Sequence, residues 1–518
     1  MSLLAWIVLI VYTTALSFIT LYCLVQFNLL YHYYKKANRG ATTPSARLQF
    51  AALQEQPQPV AAEGPADGPV EEAPPFVTVQ LPIYNERYVV ERLIDRIAAF
   101  DYPRDRFEIH VLDDSTDDTR EIVARKVAEY RASGFRIEQI FRSGRQGYKA
   151  GALRDATPQA RGEFIAIFDA DFLPQPDFLR RTIPHFQDER VGVVQTRWEH
   201  LNENYSLITR LQALQLNVHF TVEQAGRMAG NLLLQFNGTA GIWRKATIEE
   251  AGGWQADTLT EDLDLSIRAQ LGGWKIHYLE AVGSPAELPA EMNSFKSQQF
   301  RWMKGGAETA KKMLPTVWRS HLRLGQKIHT TFHLLGSTVF VFVFVLGVFS
   351  VPLLFLLGEL LAFGLTKDIF AGFLIGLLSI IAVYYTGNVQ SGLYENQPLW
   401  RTILKFIFLF PLFLALSMGL SLHNSMAVLQ GYLGRKTAFV RTPKFNILSL
   451  KDSFRQNKYL NHRLSWVTLL EGLLALYFLG GVLGGLYLQN TTFIVFHFLL
   501  CIGYGAIFYF TVRHLNLK

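Results

Sequence analysis

Charge is scarce in this chain of 518 residues. Only 18% of it is Asp, Glu, Lys or Arg, where a soluble globular protein carries about a quarter. Half of the residues are hydrophobic, which excludes a disordered or collagen-like protein and points to membrane segments. Cysteine is scarcer still: Cys23 and Cys501 are the only two, both inside apolar runs. A disulfide framework and a thiolate metal cluster are therefore excluded, and the redox compartment is left open. The chain also lacks a Gly-rich dinucleotide fingerprint and a P-loop, which disfavours a dehydrogenase or a nucleoside triphosphatase. The net charge of +7 is no nucleic-acid signal. Many of the basic residues flank apolar runs, where they set membrane orientation instead, so no nucleic-acid partner is expected.

What is present falls into four stretches. An apolar run from Leu3 to Leu30 is followed by Lys35, Lys36 and Arg39, which predicts a spanning helix over residues 1–32 with its C-terminal end in the cytoplasm. Residues 33–75 form a linker that cannot bury a core; its Ala-, Pro-, Gln- and Glu-rich part, residues 41–75, holds seven of the twenty prolines. From residue 76 to about 325 the pattern is that of an α/β domain. Strand-like runs at Phe76–Leu81, Glu108–Leu112, Phe164–Phe168 and Val191–Trp198 alternate with helical patterns at Glu86–Ala99 and Asp118–Arg131. That alternation predicts a mainly parallel sheet with ligands at the carboxyl ends of its strands. Leu207–Met228 and Ser294–Lys312 read as amphipathic interfacial helices.

Residues 326–518 read as a transmembrane region with five apolar runs. If all five crossed, residues 431–463, with eight Lys/Arg and one Asp, would lie outside. An interfacial or re-entrant element at 403–430 removes this conflict with the charge bias and places the 431–463 loop in the cytoplasm. The expected protein is thus a multi-pass protein of the plasma or inner membrane with a cytoplasmic α/β domain.

Carboxylates follow the ends of three successive strands. The first strand leads into Pro82-Ile83-Tyr84-Asn85-Glu86, the second into Asp113-Asp114, and the third into Asp169-Ala170-Asp171. Such groups converge on one crevice, where hard oxygen ligands suit Mg²⁺ or Mn²⁺ and the ion can neutralise a diphosphate. Any one of these Asp residues could equally cap a turn or a helix. Three strand-end clusters in one domain favour the site. Further on, Thr260 reads as the N-cap of a helix whose first turn holds Glu261 and Asp262. Gln298, Arg301 and Trp302 read as one turn of an interfacial helix.

Asp113-Asp114, Asp169-Ala170-Asp171, Thr260-Glu261-Asp262 and Gln298-Gln299-Phe300-Arg301-Trp302 occur in the order of the D, DxD, TED and QxxRW motifs. The chain resembles the family 2 processive glycosyltransferases, and among them the cellulose-synthase-like mannan and glucan synthases. The resemblance implies a GT-A-like domain inserted between membrane helices, and an inverting transfer of a hexose from UDP or GDP onto a β-linked polysaccharide. It implies that Asp171, with Asp169, holds Mg²⁺ or Mn²⁺. It implies Asp262 as general base within Thr260-Glu261-Asp262. Donor contacts would come from Pro82, Tyr84 and Glu86, from Asp113 or Asp114, and from Lys149, Asp169, Gln298 and Arg301. Phe236-Asn237-Gly238-Thr239-Ala240 resembles the acceptor loop, so Asn237, Gly238 and Thr239, with Trp302 as platform, would hold the sugar chain. Phe439-Val440-Arg441-Thr442-Pro443-Lys444 resembles a gating loop over the nucleotide. There Thr442 and Lys444 keep their spacing while Arg441 replaces the usual Val. The growing polysaccharide and the lipid bilayer are the further partners implied. A single-transfer enzyme with a lipid acceptor, of ceramide glucosyltransferase type, is the alternative within enzymes. A non-enzymatic membrane scaffold is the alternative outside them.

Overall fold

A computed structural model describes residues 2–41, 73–364, 374–391, 397–437, 441–447, 452, 458–459 and 464–515. Most of the expected linker and parts of the 431–463 loop lie outside these residues. The first helix runs from Leu3 to Ala41, past the expected boundary at residue 32.

The α/β domain is built on seven strands: β1 (Val77–Ile83), β2 (Phe107–Asp113), β3 (Ile137–Ile140), β4 (Phe164–Ile167), β5 (Val191–His200), β6 (Gly241–Arg244) and β7 (Lys275–Ala286). Their order is β3-β2-β1-β4-β6-β5-β7. The pairings of β1 with β2 and β4, of β2 with β3, and of β5 with β7 are parallel, and β6 is antiparallel to both its neighbours. The sheet is mainly parallel, as expected. Helices cover both faces of the sheet, so β4 is a continuous apolar run and the polar residues of β1 and β2 (Thr78, Gln80, Glu108 and His110) are buried along with their apolar neighbours. Val77, Val79 and Leu81 pack with Leu93, Ile97 and Val123 on one side. Ile165 and Ile167 pack with Leu153 and Leu265 on the other. β3, β6 and β7 went unpredicted; the first two have only four residues each, too few for a pattern.

Five helices among the described residues are long and apolar enough to cross a membrane: Leu3–Lys35, Leu324–Ala362, Leu399–Gly419, Trp466–Tyr487 and Ile494–Leu515. A shorter apolar helix covers Leu374–Gln390. The element expected at 403–430 is two helices, Leu399–Gly419 and Ser421–Tyr432. Length and hydropathy alone make the first of them a candidate span. Its contacts put both ends beside the α/β domain. Lys405 Nζ lies 2.7 Å from Glu203 Oε1 near one end. Just beyond the other, His423 Nε2 is 3.0 Å from the Lys296 carbonyl. Between them Phe406, Phe410, Phe413 and Leu416 pack on Ile208, Leu211, Met292 and Phe295, while Trp400, Leu404, Ile407 and Phe408 are exposed on the opposite face.

The remaining helices run between two ends of the bundle. Ser2 bonds to Glu359 at the end far from the sheet, and Tyr33 reaches Glu280 of β7 at the near end. Tyr34 bonds to Thr386 at 2.9 Å, which brings the Leu374–Gln390 helix to the near end as well. Lys296 Nζ contacts both carboxylate oxygens of Glu471 at 2.8 Å, and the Met292 amide donates to His514 Nδ1 at 3.1 Å. The last two helices thus leave and rejoin the sheet side.

Candidate active site

The parallel register sets the ends of β1, β2 and β4 on one rim. Asn85 follows β1 with a φ of +54°, a left-handed conformation that Asn tolerates. Its Oδ1 accepts from the Thr116 amide at 2.8 Å and its own amide donates to Ser115 Oγ at 2.9 Å, which ties the first two loops together. Asp113 is buried, accepting from the Ser115 amide at 2.9 Å and Gln139 Nε2 at 2.8 Å. It does not line the cavity; Asp114 does, held by Arg142 Nε at 3.0 Å.

The cavity has a volume of about 580 Å³. Pro82, Tyr84, Glu86, Lys149, Asp169 and Asp171 line one part of it. Thr260, Glu261, Asp262, Gln298, Arg301 and Trp302 line another. Asn237 and Gly238 enter from the loop before β6, and Thr442 and Lys444 complete the lining. Thr239 stands behind the cavity, where its hydroxyl accepts from the Asp169 amide at 2.8 Å and steadies the DxD turn.

Lys149 Nζ pairs with Asp169 and donates to the Gly238 carbonyl at 2.9 Å. Burial opposes its charge, but Asp169, Glu261 and Asp262 outweigh that and its pKa is raised. Asp171 pairs with Lys444. Arg301 donates to Thr442 Oγ1 at 2.9 Å; burial lowers its pKa against four surrounding carboxylates.

Asp262 opens the Glu261–Leu271 helix and its Oδ1 accepts the Leu263 amide at 2.8 Å. Burial first, and the charge of Glu261 second, push its pKa up to about 7. Burial raises Glu261 as well. Gly238 has a φ of +80°, and a Cβ built on it would stand 3.0 Å from Asp262 Oδ2. Only glycine lets this backbone lie against the carboxylate. Thr260 occupies the N-cap position but makes no capping bond. Its hydroxyl is 3.0 Å from Thr309 Oγ1, which corrects the expected cap. The Met292–Arg319 helix comes that close because of Gly305, whose added Cβ would meet Thr260 Cγ2 at 2.6 Å.

Several lining residues were not foreseen. Arg441 makes a two-pronged pair with Glu86, at 2.9 and 2.7 Å. The position where Arg441 replaces the usual Val therefore carries an ion pair. Arg145 lies over the Tyr84 ring at 3.1 Å. Glu287 accepts the Phe445 amide at 2.8 Å and holds the same loop. No local pattern marks these residues, since their partners are distant in sequence.

Residues 74–305 match the family described as glycosyltransferase like family 2. The α/β domain belongs to glycosyltransferase family 2. The chain is 42% identical over 265 residues to glucomannan 4-beta-mannosyltransferase 1 of Oryza sativa subsp. japonica, a match covering 50% of this chain and 51% of that one. It is 42% identical over 264 residues to glucomannan 4-beta-mannosyltransferase 2 of Arabidopsis thaliana, covering 50% and 49%. The chain thus spans about half the length of the curated relatives it matches. It is also similar to the solved mannosyltransferase PcManGT of Pyrobaculum calidifontis, at 20% identity, TM-score 0.44, and coverage of 74% and 100%. A likeness that loose places no ligand. The family 2 domain is GT-A-like, a mainly parallel sheet with its candidate site on the rim.

Proposed function

We propose that this protein transfers a hexose from a nucleotide-sugar to the end of a β-linked polysaccharide, and that the chain leaves between its membrane helices. The observation that carries this reading is a single cavity joining four groups. These are the Asp169–Asp171 carboxylates, the Asp262 carboxyl tuned to about 7, Arg301 with Trp302, and the loop bearing Thr442 and Lys444. The names of the curated relatives support mannose as the sugar and a 1,4 linkage.

In this reading Asp262 takes the proton of the acceptor hydroxyl as that oxygen attacks the anomeric carbon. The bond from that carbon to the diphosphate breaks with inversion, and the diphosphate departs with the electron pair. Arg301, Lys149 and Lys444 lie on the cavity wall as counter-charges for it. Asp171 and Asp169 fit a divalent ion: both are hard oxygen donors on one turn, each now paired with an ammonium group. Among the described residues no group of three His, Cys, Asp or Glu side chains is placed to hold a metal ion, so donor oxygens or water would complete the shell. When bound, Mg²⁺ or Mn²⁺ would supply Lewis-acid stabilisation of the leaving diphosphate. Trp302 offers a flat apolar face to the acceptor sugar.

The purified protein, given single GDP- or UDP-hexoses with Mn²⁺, is expected to build a polymer long enough to resolve by size. Asp171→Ala is expected to lose Mn²⁺-dependent nucleotide binding. Products carrying one added sugar on a lipid would favour the single-transfer alternative, and unchanged nucleotide affinity in Asp171→Ala would remove the metal role.

A further inference from the structure

The helix leading to the acceptor loop is not regular. Leu207–Val218 passes through a π-turn at His219–Glu223 before resuming as Gln224–Ala229. Such turns insert one residue into the helical ladder and concentrate at functional sites. This one and the residue that follows it each reach the 230–238 loop. Gln224 Nε2 donates to the Gln235 carbonyl at 2.7 Å, and His219 Nε2 stands 2.8 Å from Asn237 Oδ1. The other ring nitrogen, Nδ1, lies 2.9 Å from Glu223 Oε2. Glu223 is in turn 3.4 Å from Arg227 Nη1. A second arm of the same turn supports the cavity wall: the Phe220 ring packs on Trp198 with centroids 5.0 Å apart, and the Phe220 carbonyl accepts from Tyr278.

We infer that His219 and Glu223 are a positioning pair that fixes the side-chain amide of Asn237 for the acceptor sugar. The ionised Glu223 carboxylate only accepts, so His219 Nδ1 carries hydrogen. The ring plane is then set, and Nε2 bonds one end of the Asn237 amide, accepting from its N–H when the ring is neutral and donating to Oδ1 when the ring is the imidazolium. The amide's remaining group is fixed in direction, and Asn237 lines the cavity beside Gly238 and Asp262. The Asn237 amide N–H is held by Gln195 Oε1 at 2.9 Å, so the residue is gripped at backbone and side chain. A sugar hydroxyl meeting a pre-oriented amide loses less freedom on binding than one meeting a mobile group. The pair touches no reacting atom, and its effect passes through Asn237.

This inference rests on the function proposed above, so wild-type transfer is measured first, with a soluble β-1,4-mannotetraose primer and the donor that supports it. No transfer from any nucleotide-sugar would overturn the function reading, and the positioning role with it. Given transfer, His219→Ala and Glu223→Gln are each expected to raise the primer KM about 3- to 10-fold, the loss of one fixed hydrogen bond. Nucleotide affinity and primer-saturated kcat are expected to stay within about 2-fold. Combining His219→Ala with Asn237→Ala is expected to add little to Asn237→Ala alone. Glu223→Gln keeps the size of the half-buried side chain and serves if His219→Ala fails to fold. An unchanged primer KM, parallel losses in nucleotide affinity, or full additivity with Asn237→Ala would overturn the positioning role while leaving the function reading standing.

Discussion

Asp262 is where sequence chemistry and environment meet most sharply. A carboxyl near its ordinary value is a weak base, and one raised to about 7 can accept a proton near neutrality. The sign follows directly: below that value the group is protonated and cannot act. kcat/KM, which reports the free enzyme, is expected to fall on the acid side of about 7, by roughly tenfold per pH unit well below it. A flat profile between pH 5.5 and 7.5 would exclude Asp262 as the titrating base. Asp262→Asn is expected to lower transfer about 10² to 10⁴-fold while nucleotide binding is retained. Near-wild-type transfer in that variant would exclude the assignment. The strand-end carboxylates were legible because their spacing follows from strand length. The separate fates of neighbouring Asp113 and Asp114 were not. One is turned inward to Gln139 and the other outward to Arg142, and those partners lie on later elements.

The Met292–Arg319 helix carries Gln298, Arg301 and Trp302, and its placement is a matter of packing between elements. Glu291 caps it by accepting the Asn293 and Ser294 amides, both at 2.7 Å. Lys296 then pins it to the Trp466–Tyr487 helix through Glu471, with side chains 7% and 0% exposed. A buried pair of this kind is expensive to break from one side, because the survivor is left as an unpaired charge. Glu471→Ala is therefore expected to destabilise the protein by about 3–5 kcal/mol. Replacing both members with Met is expected to recover most of that loss. Thermal unfolding in detergent measures both variants, and an unchanged midpoint for Glu471→Ala would show that the pair does not anchor the helix. The amphipathic character of this segment was legible from its period. Its depth and partner were not, since Lys296 and Glu471 are 175 residues apart.

Across the whole molecule, the loop at 441–447 sits in the α/β cavity, with Lys444 on Asp171 and Arg441 on Glu86. Whatever face of the membrane the α/β domain occupies, this loop shares it. Between the two lie the Leu324–Ala362 helix, the Leu374–Gln390 helix and the Leu399–Gly419 helix. An odd number of crossings would separate the loop from the domain, so one of the three lies along the membrane. We propose that this helix is Leu399–Gly419, on the strength of the contacts of Lys405 and His423 with the α/β domain. A cysteine at the exposed Lys436 is expected to resist a membrane-impermeant thiol reagent on intact cells and to react once they are permeabilised, in a background with Cys23 and Cys501 replaced. Labelling on intact cells would reverse the orientation of the domain.

Composition, apolar runs and strand-end carboxylates are local properties, and from them the sequence determined a mainly parallel α/β domain among long apolar helices, with a candidate site at the strand ends. Partnership is not local. Arg441 and Glu86 meet across 355 residues, and Lys444 and Asp171 across 273. Thr260 gives up its expected cap because Gly305 admits a helix close enough to offer Thr309 instead. Hydropathy counts the apolar residues of Leu399–Gly419, yet its neighbours are set by an ion pair near one end, a hydrogen bond just beyond the other and aromatic packing along one face. Tertiary structure decides these matters because a charge or hydroxyl taken out of water is bound by whichever partner the fold brings within reach.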